Sequence, residues 1–181
     1  MNQARQIWTI GHWTCPIPDV LAQLDEHRID LLVDVRAHPG SRRSPQFGAD
    51  AMSEWLPEHG IDYRRLPALA GRRPRQTDVD PNINAGWQNA SFKNYADFTL
   101  SDEYGEGIDE LTRIAERHRV AIMCGEPMPW RCHRLLISNT LAAQGWTVRH
   151  LITGGAMREH VLGQWGATPS VDNEGRVTYP G

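Results

Sequence analysis

Apolar positions along the chain fall into short blocks that alternate between two periods. Gln6–Gly11 (QIWTIG) is rich in aromatic and β-branched residues and stops at a glycine. Asp30–Val35 (DLLVDV) is nearly continuous apolar sequence, the pattern of a strand covered on both faces. Ile61–Leu66 is a weaker strand candidate, Val120–Cys124 (VAIMC) closes at Gly125, and Thr147–Ile152 follows Gly145 and ends at Gly154-Gly155. Helical spacing marks Pro18–His27, Asp50–Glu58, Tyr104–Arg119 and Pro129–Gln144. Strand and helix alternate, which predicts a single α/β domain over residues 1–181. Its largely parallel five-stranded sheet carries helices on both faces and a core over about 6–155. Residues 68–91 carry Pro, Gly, Asn and Arg without periodicity and are expected to form a long loop, of the kind that serves as a lid. The tail over 164–181 is expected to hold a small hairpin around Asp172-Asn173-Glu174-Gly175.

Composition narrows the class. The chain has 181 residues, 40% hydrophobic and 23% charged, which excludes disordered and fibrous proteins. No apolar run approaches the roughly 20 residues that cross a bilayer, and the opening MNQARQIWTIGHW has no signal-like apolar region. Three cysteines, Cys15, Cys124 and Cys132, are an odd number and point to a reducing compartment. The expectation is a cytoplasmic protein with no membrane partner.

The net charge of −3 disfavours wholesale coating of nucleic acid but conceals an asymmetry. Arg36, Arg42, Arg43, Arg64, Arg65, Arg72, Arg73 and Arg75 cluster against Asp50, Glu54, Glu58 and Asp62. From Asp78 to Glu110 the acids dominate, with Lys93 the only base.

In a parallel α/β sheet, ligands bind beyond the carboxyl ends of the strands. His12 follows the first strand, Asp34, Arg36 and His38 follow or end the second, and Cys124 and Glu126 close the fourth. Cys132, His133 and Arg134 lie close to the start of the helix that comes next. A strand, a Pro-containing loop and a helix start offer backbone N–H groups and a positive dipole, which favour a bound anion and an acidic thiol. Arg131 and Arg134 add charge-assisted hydrogen bonds. The layout resembles the phosphate loops of cysteine phosphatases and rhodaneses. Their pattern of Cys, five residues, Arg is absent, because Trp130 stands six after Cys124 and Arg131 one step later.

Structural readings stand beside these. A free cysteine is often a small buried hydrophobe, and Cys132 shares a helix face with Leu135, Leu136 and Asn139 in the predicted helix. Asp34 at a strand end can bond backbone amides, and Arg36 can pair with Asp34 or Glu126. Trp87 and Phe92 are core candidates that could alternatively stack on a base. The seven residues between Cys124 and Cys132 do not match an ordinary zinc knuckle, although His12 and His38 could complete a metal site across strands.

The chain resembles the Domain of Unknown Function 488 family. The pieces are TIGHW (Thr9–Trp13), DVR (Asp34–Arg36), the segment from Pro39 through Ser44 to Phe47, and LPALAG (Leu66–Gly71). Phe92 with Tyr95-Ala96, Cys124-x-Glu126 and Cys132-His133-Arg134 complete them. Trp13 stands where serine is more usual and Ala70 where glycine is common. The resemblance implies a cytosolic bacterial or archaeal α/β protein, adds Ser44 to the residues near the site, and carries a loose association with DNA repair.

The leading expectation is an enzyme for a small anionic substrate, phosphate- or nucleotide-bearing, that needs no cofactor and no metal. Cys132 and Cys124 are the candidate thiols, with Cys132 the more reactive for its place at a helix start. His133 or His12 would carry the proton and Glu126 would orient; His12, Asp34, Arg36, Ser44 and Arg134 would hold the substrate. Two alternatives are a non-catalytic nucleic-acid-associated module using the Arg36–Arg75 stretch, and a metal-binding protein.

Overall fold

The computed structural model describes residues 5–40 and 43–181. Six strands form one sheet: β1 (Gln6–Gly11), β2 (Leu31–Asp34), β3 (Asp62–Arg65), β4 (Val120–Cys124), β5 (Thr147–Leu151) and β6 (Arg158–Glu159), in the order β3-β2-β4-β1-β5-β6. The first five are parallel, as the sequence predicts, and the two-residue β6 adds an antiparallel edge beside β5. A separate hairpin of β7 (Ser170–Val171) and β8 (Val177–Thr178) brackets the Asp172–Gly175 turn in the tail.

Alternation along the strands divides the interior into two cores. Trp8, Leu32, Ala121 and Met123 point to one face, where α1 (Ile17–Glu26) and α2 (Ala49–Glu58) cover them with Val20, Leu24, Met52 and Leu56. Ile7, Val33, Ile122 and Val148 point to the other. There they meet α3 (Ala90–Phe98), α4 (Asp102–Ala115) and α5 (Arg134–Ala143). Both faces are dry, which is why β2 reads as an unbroken apolar run. Helix α4 starts where Ser101 accepts the Tyr104 amide at 3.2 Å, with Asp102 and Glu103 on its positive end.

The structure departs from the sequence reading at two places. Helix α3 has no counterpart there, since no element was expected between the loop ending at about 91 and the helix starting at Tyr104; it is capped by the Asn89 side chain on the Phe92 amide at 3.2 Å. Pro129–Arg131 is a single 3-10 turn, and α5 begins only at Arg134. Cys132 between them is extended, at φ −142° and ψ 173°, so it is not on the helix face that periodicity assigned it.

Order across the sheet creates a crevice. From β1 the chain crosses through α1 toward β2, whereas from the adjacent β4 it crosses through α5 toward β5. Neighbouring strands therefore send their connections to opposite faces, and the space between those connections is open at the carboxyl edge. Gly11 permits the close meeting of the two loops. A Cβ there would lie 1.8 Å from the Glu126 carbonyl oxygen.

Candidate functional site

A cleft of about 630 Å³ opens at this carboxyl edge. The structure brings to its wall His12, Arg36, Ser44, Cys124, Glu126, Cys132 and His133 from the sequence-derived set. Among the described residues, four arginines line it, Arg36, Arg43, Arg72 and Arg131, together with His12, His38 and His133, against one carboxylate, Glu126. Asp34 and Arg134 stand behind the wall.

Arg36 is held from behind. Its Nε donates to Asp34 Oδ1 at 2.9 Å and its Nη2 to Oδ2 at 2.6 Å, with both side chains buried. Tyr63, on β3, donates its hydroxyl to the same Oδ2 at 2.5 Å. Burial together with the Asp34 carboxylate pushes the Tyr63 phenol well above its ordinary range. The Arg36 Nη1 donates to His12 Nε2 at 3.2 Å, while His12 Nδ1–H donates to the Trp13 carbonyl at 2.7 Å. Both imidazole nitrogens are thus engaged in the neutral form. Burial holds His12 below its ordinary range, with the Arg36 charge acting in the same direction. The Ser44 hydroxyl donates to the Trp13 carbonyl at 3.2 Å.

The two thiols form a pair at the floor. Their sulfurs lie within 4.8 Å of each other, and the Cys132 S–H donates to the Pro129 carbonyl at 3.9 Å. The neighbouring Cys132 thiol, with the His133 ring and the Arg134 charge, holds Cys124 well below the ordinary thiol range despite burial. Burial pushes Cys132 well above that range, and the neighbouring Cys124 sulfur acts the same way. The expected ranking of the thiols is therefore reversed: the acidic sulfur is Cys124.

His133 Nε2–H donates to the Val35 carbonyl at 2.7 Å, which places its proton and leaves Nδ1 as the basic nitrogen. Gly71 makes room for that ring, because a Cβ there would lie 2.7 Å from Nδ1. The ligand atoms of Cys124, Cys132 and His133 lie within 4.8 Å of one another, a set that can hold a metal ion.

Arg134 is fully buried rather than open to a substrate. Its Nε donates to Cys132 Sγ at 3.1 Å, its Nη1 to Thr9 Oγ1 at 3.2 Å and its Nη2 to the Glu126 carbonyl at 2.5 Å. Behind it runs a chain of polar groups that periodicity could not connect. Asn139 Nδ2 donates to the Tyr179 hydroxyl at 2.9 Å, so its Oδ1 accepts His160 Nε2–H at 2.8 Å. His160 Nδ1 then accepts from His150 Nε2–H at 3.0 Å, and His150 Nδ1 accepts the Thr9 hydroxyl at 2.7 Å. Each of these links runs from a donor to an acceptor with both imidazoles neutral. Burial lowers His150 to about 3 and His160 to about 4. The chain was illegible because bonded partners within it lie up to 141 residues apart.

The described members of the Arg36–Arg75 stretch are dispersed. Arg36 pairs with Asp34, Arg43 and Arg72 line the cleft, and Arg64 and Arg65 lie on edge strand β3. Arg73 is pinned to the Pro67 carbonyl and to Glu103 over the Phe98 ring. Arg42 lies outside the described residues. Trp87 is buried and stacked on Phe92 at 4.9 Å, and Phe92 reaches the cleft. No helix among the described residues is long and apolar enough to cross a membrane.

The family model described as Domain of unknown function DUF488 matches residues 16–141, well over half of the chain, and the chain belongs to that family. No curated protein and no solved structure matches it.

Proposed function

With family membership leaving the chemistry open, we propose that the protein is a cysteine-dependent enzyme for a small anionic substrate, phosphate- or nucleotide-bearing, attacked by Cys124. The observation that carries this reading is the Cys124–Cys132 pair, two sulfurs that lie with the His133 ring within 4.8 Å of one another, at the floor of a cleft rich in arginine and histidine. Arg36 and Arg131 face the anion, and Arg134 acts through Cys132.

Cys124 Sγ forms a bond to the electrophilic atom, and the bond to the leaving group breaks with its electron pair. The adduct carries no charge on Sγ, and the neighbouring Cys132 S–H gives its proton to the leaving group. The Cys132 thiolate is then stabilised by Arg134 Nε–H at 3.1 Å. Water reverses the sequence: its proton returns to Cys132, its hydroxide displaces Cys124, and the thiolate is restored.

Alkylation by iodoacetamide across pH 5–9, resolved by peptide mass spectrometry, tests this. Cys124 should react first, with an apparent pKa below the ~8.5 of an ordinary thiol. Phosphate should slow the reaction, and Cys132→Ala should raise that pKa. Preferential reaction of Cys132, or of neither thiol below pH 8.5, overturns the reading.

One observation favours a second reading. His133 donates its outer N–H to a backbone carbonyl, as metal-bound histidines do, and its ring lies with both thiols within 4.8 Å. Stoichiometric zinc on the purified protein, lost in Cys124→Ser, would establish a Cys₂His metal centre in place of the free thiolate.

A further inference from the structure

Trp13 is 48% exposed, and no other aromatic among the described residues is comparably open. It sits on the cleft wall immediately after β1. Its backbone lies at φ 44°, in the left-handed region that a residue with a Cβ adopts at a cost. Three hydrogen bonds from three segments impose that conformation. The Trp13 amide donates to the Gly125 carbonyl at 2.9 Å, and the Trp13 carbonyl accepts from His12 at 2.7 Å and from Ser44 at 3.2 Å. A strained backbone this firmly fixed displays a large apolar ring at the mouth of a cationic cleft, where burial gains nothing from it.

Other aromatic residues near the site have partners. Phe92 stacks on Trp87, Tyr95 packs against His133, and Phe47 stacks on His12 at 4.6 Å. Trp13 makes no ring contact with any described residue. The cleft, at about 630 Å³, is also far larger than a tetrahedral oxyanion fills and lies within the usual span of small-molecule sites. An anion held by the arginines leaves the space beside Trp13 for a planar group.

We propose that Trp13 is the stacking platform for the base of a nucleoside monophosphate whose phosphate is held by the cleft arginines. The proposal rests on the anion-binding reading of the same cleft and names its substrate class. Stacking on an aromatic side chain accepts any base, so the preference is for a nucleotide over a ring-free phosphate rather than for one base.

Calorimetric titration with adenosine 5′-monophosphate, cytidine 5′-monophosphate and ribose 5-phosphate tests it, using the wild type, Trp13→Phe and Trp13→Gly. Both nucleotides should bind about 5- to 100-fold more tightly than ribose 5-phosphate, the range expected of one stacked base. Trp13→Phe should keep most of that ratio. Trp13→Gly should bring it close to one while raising the thermal midpoint, because glycine adopts φ 44° freely. Equal affinity for nucleotide and sugar phosphate, or a ratio that survives Trp13→Gly, overturns the platform while leaving anion binding intact. Failure of all three phosphates to bind removes the anion reading and the platform with it. A 5′-phosphorylated oligonucleotide bound more tightly than the mononucleotides, with steep salt dependence, overturns the mononucleotide assignment in favour of a strand.

Discussion

Lowering the pH from 7.5 to 5.0 should cost the protein about 4 kcal/mol of stability through His150 and His160 alone. Both imidazoles are buried and neutral, with folded-state values lowered from 6.5 to about 3 and about 4. Below pH 6.5 the unfolded chain takes up these two protons and the folded chain does not. The unfolded state then binds more protons, so stability falls as pH falls, from 6.5 down to the folded values. At pH 5 each histidine has crossed about 1.5 units of that window, worth about 2 kcal/mol at 1.36 kcal/mol per unit. His12, also held low by burial, acts in the same direction, and ordinary carboxylates titrate mostly below this window. With a urea slope of about 2–3 kcal/mol/M, the midpoint should drop by about 1.3–2 M between the two pH values. His160→Gln keeps one donor and one acceptor in the chain and removes one titration, so its drop should be about half. Midpoints that agree within about 0.3 M, or a full drop in His160→Gln, would refute the neutral chain.

Thr9→Val preserves shape but strips an acceptor from Arg134 and a donor from His150. Two buried polar groups lose a partner, so the expected loss is about 2–4 kcal/mol, read as a calorimetric midpoint about 5–15 °C lower; a shift under about 2 °C counts against the chain. Gly71→Ala places a Cβ 2.7 Å from His133 Nδ1 and must displace the ring. Cys124 alkylation at pH 6.5 should slow several-fold with the circular dichroism spectrum preserved, whereas an unchanged rate would detach His133 from the thiol's acidity.

The carboxyl-edge cleft was legible because its residues directly follow strands whose apolar runs are unmistakable. Once β1, β2 and β4 are parallel neighbours, His12, Arg36 and Cys124 must share an edge. What was illegible depends on side-chain direction and on distant partners. Cys132 reads as a helix residue because Pro129 is a favoured first-turn residue, yet the chain makes one 3-10 turn and extends before α5 begins. Thr9 reads as a strand residue and His160 as a tail residue. Only folding brings Thr9, on β1, against His150, on β5, and His160 beside it across the β5–β6 edge. Helix α3 lacks a strong apolar stripe and carries Asn and Gly before it, which resembles a loop until Asn89 caps it.

The charges of Arg36 and Arg134 are deployed differently, and the difference explains which sulfur is acidic. Arg36 faces the cleft, but Asp34 neutralises it through two close hydrogen bonds. Its net field in the cleft is therefore small, and the positive potential at the rim comes from Arg131 and Arg72, which are exposed. Arg134 is fully buried and, among the described residues, meets no carboxylate; its partners are a hydroxyl, a carbonyl oxygen and a sulfur. A buried cation without a counter-ion is costly, and loss of one proton from the thiol pair supplies the missing negative charge. Burial favours keeping the remaining proton on Cys132, beside Cys124 at the cleft wall. The negative charge thus resides on a sulfur at the cleft wall, while the cation that stabilises it is buried behind that wall.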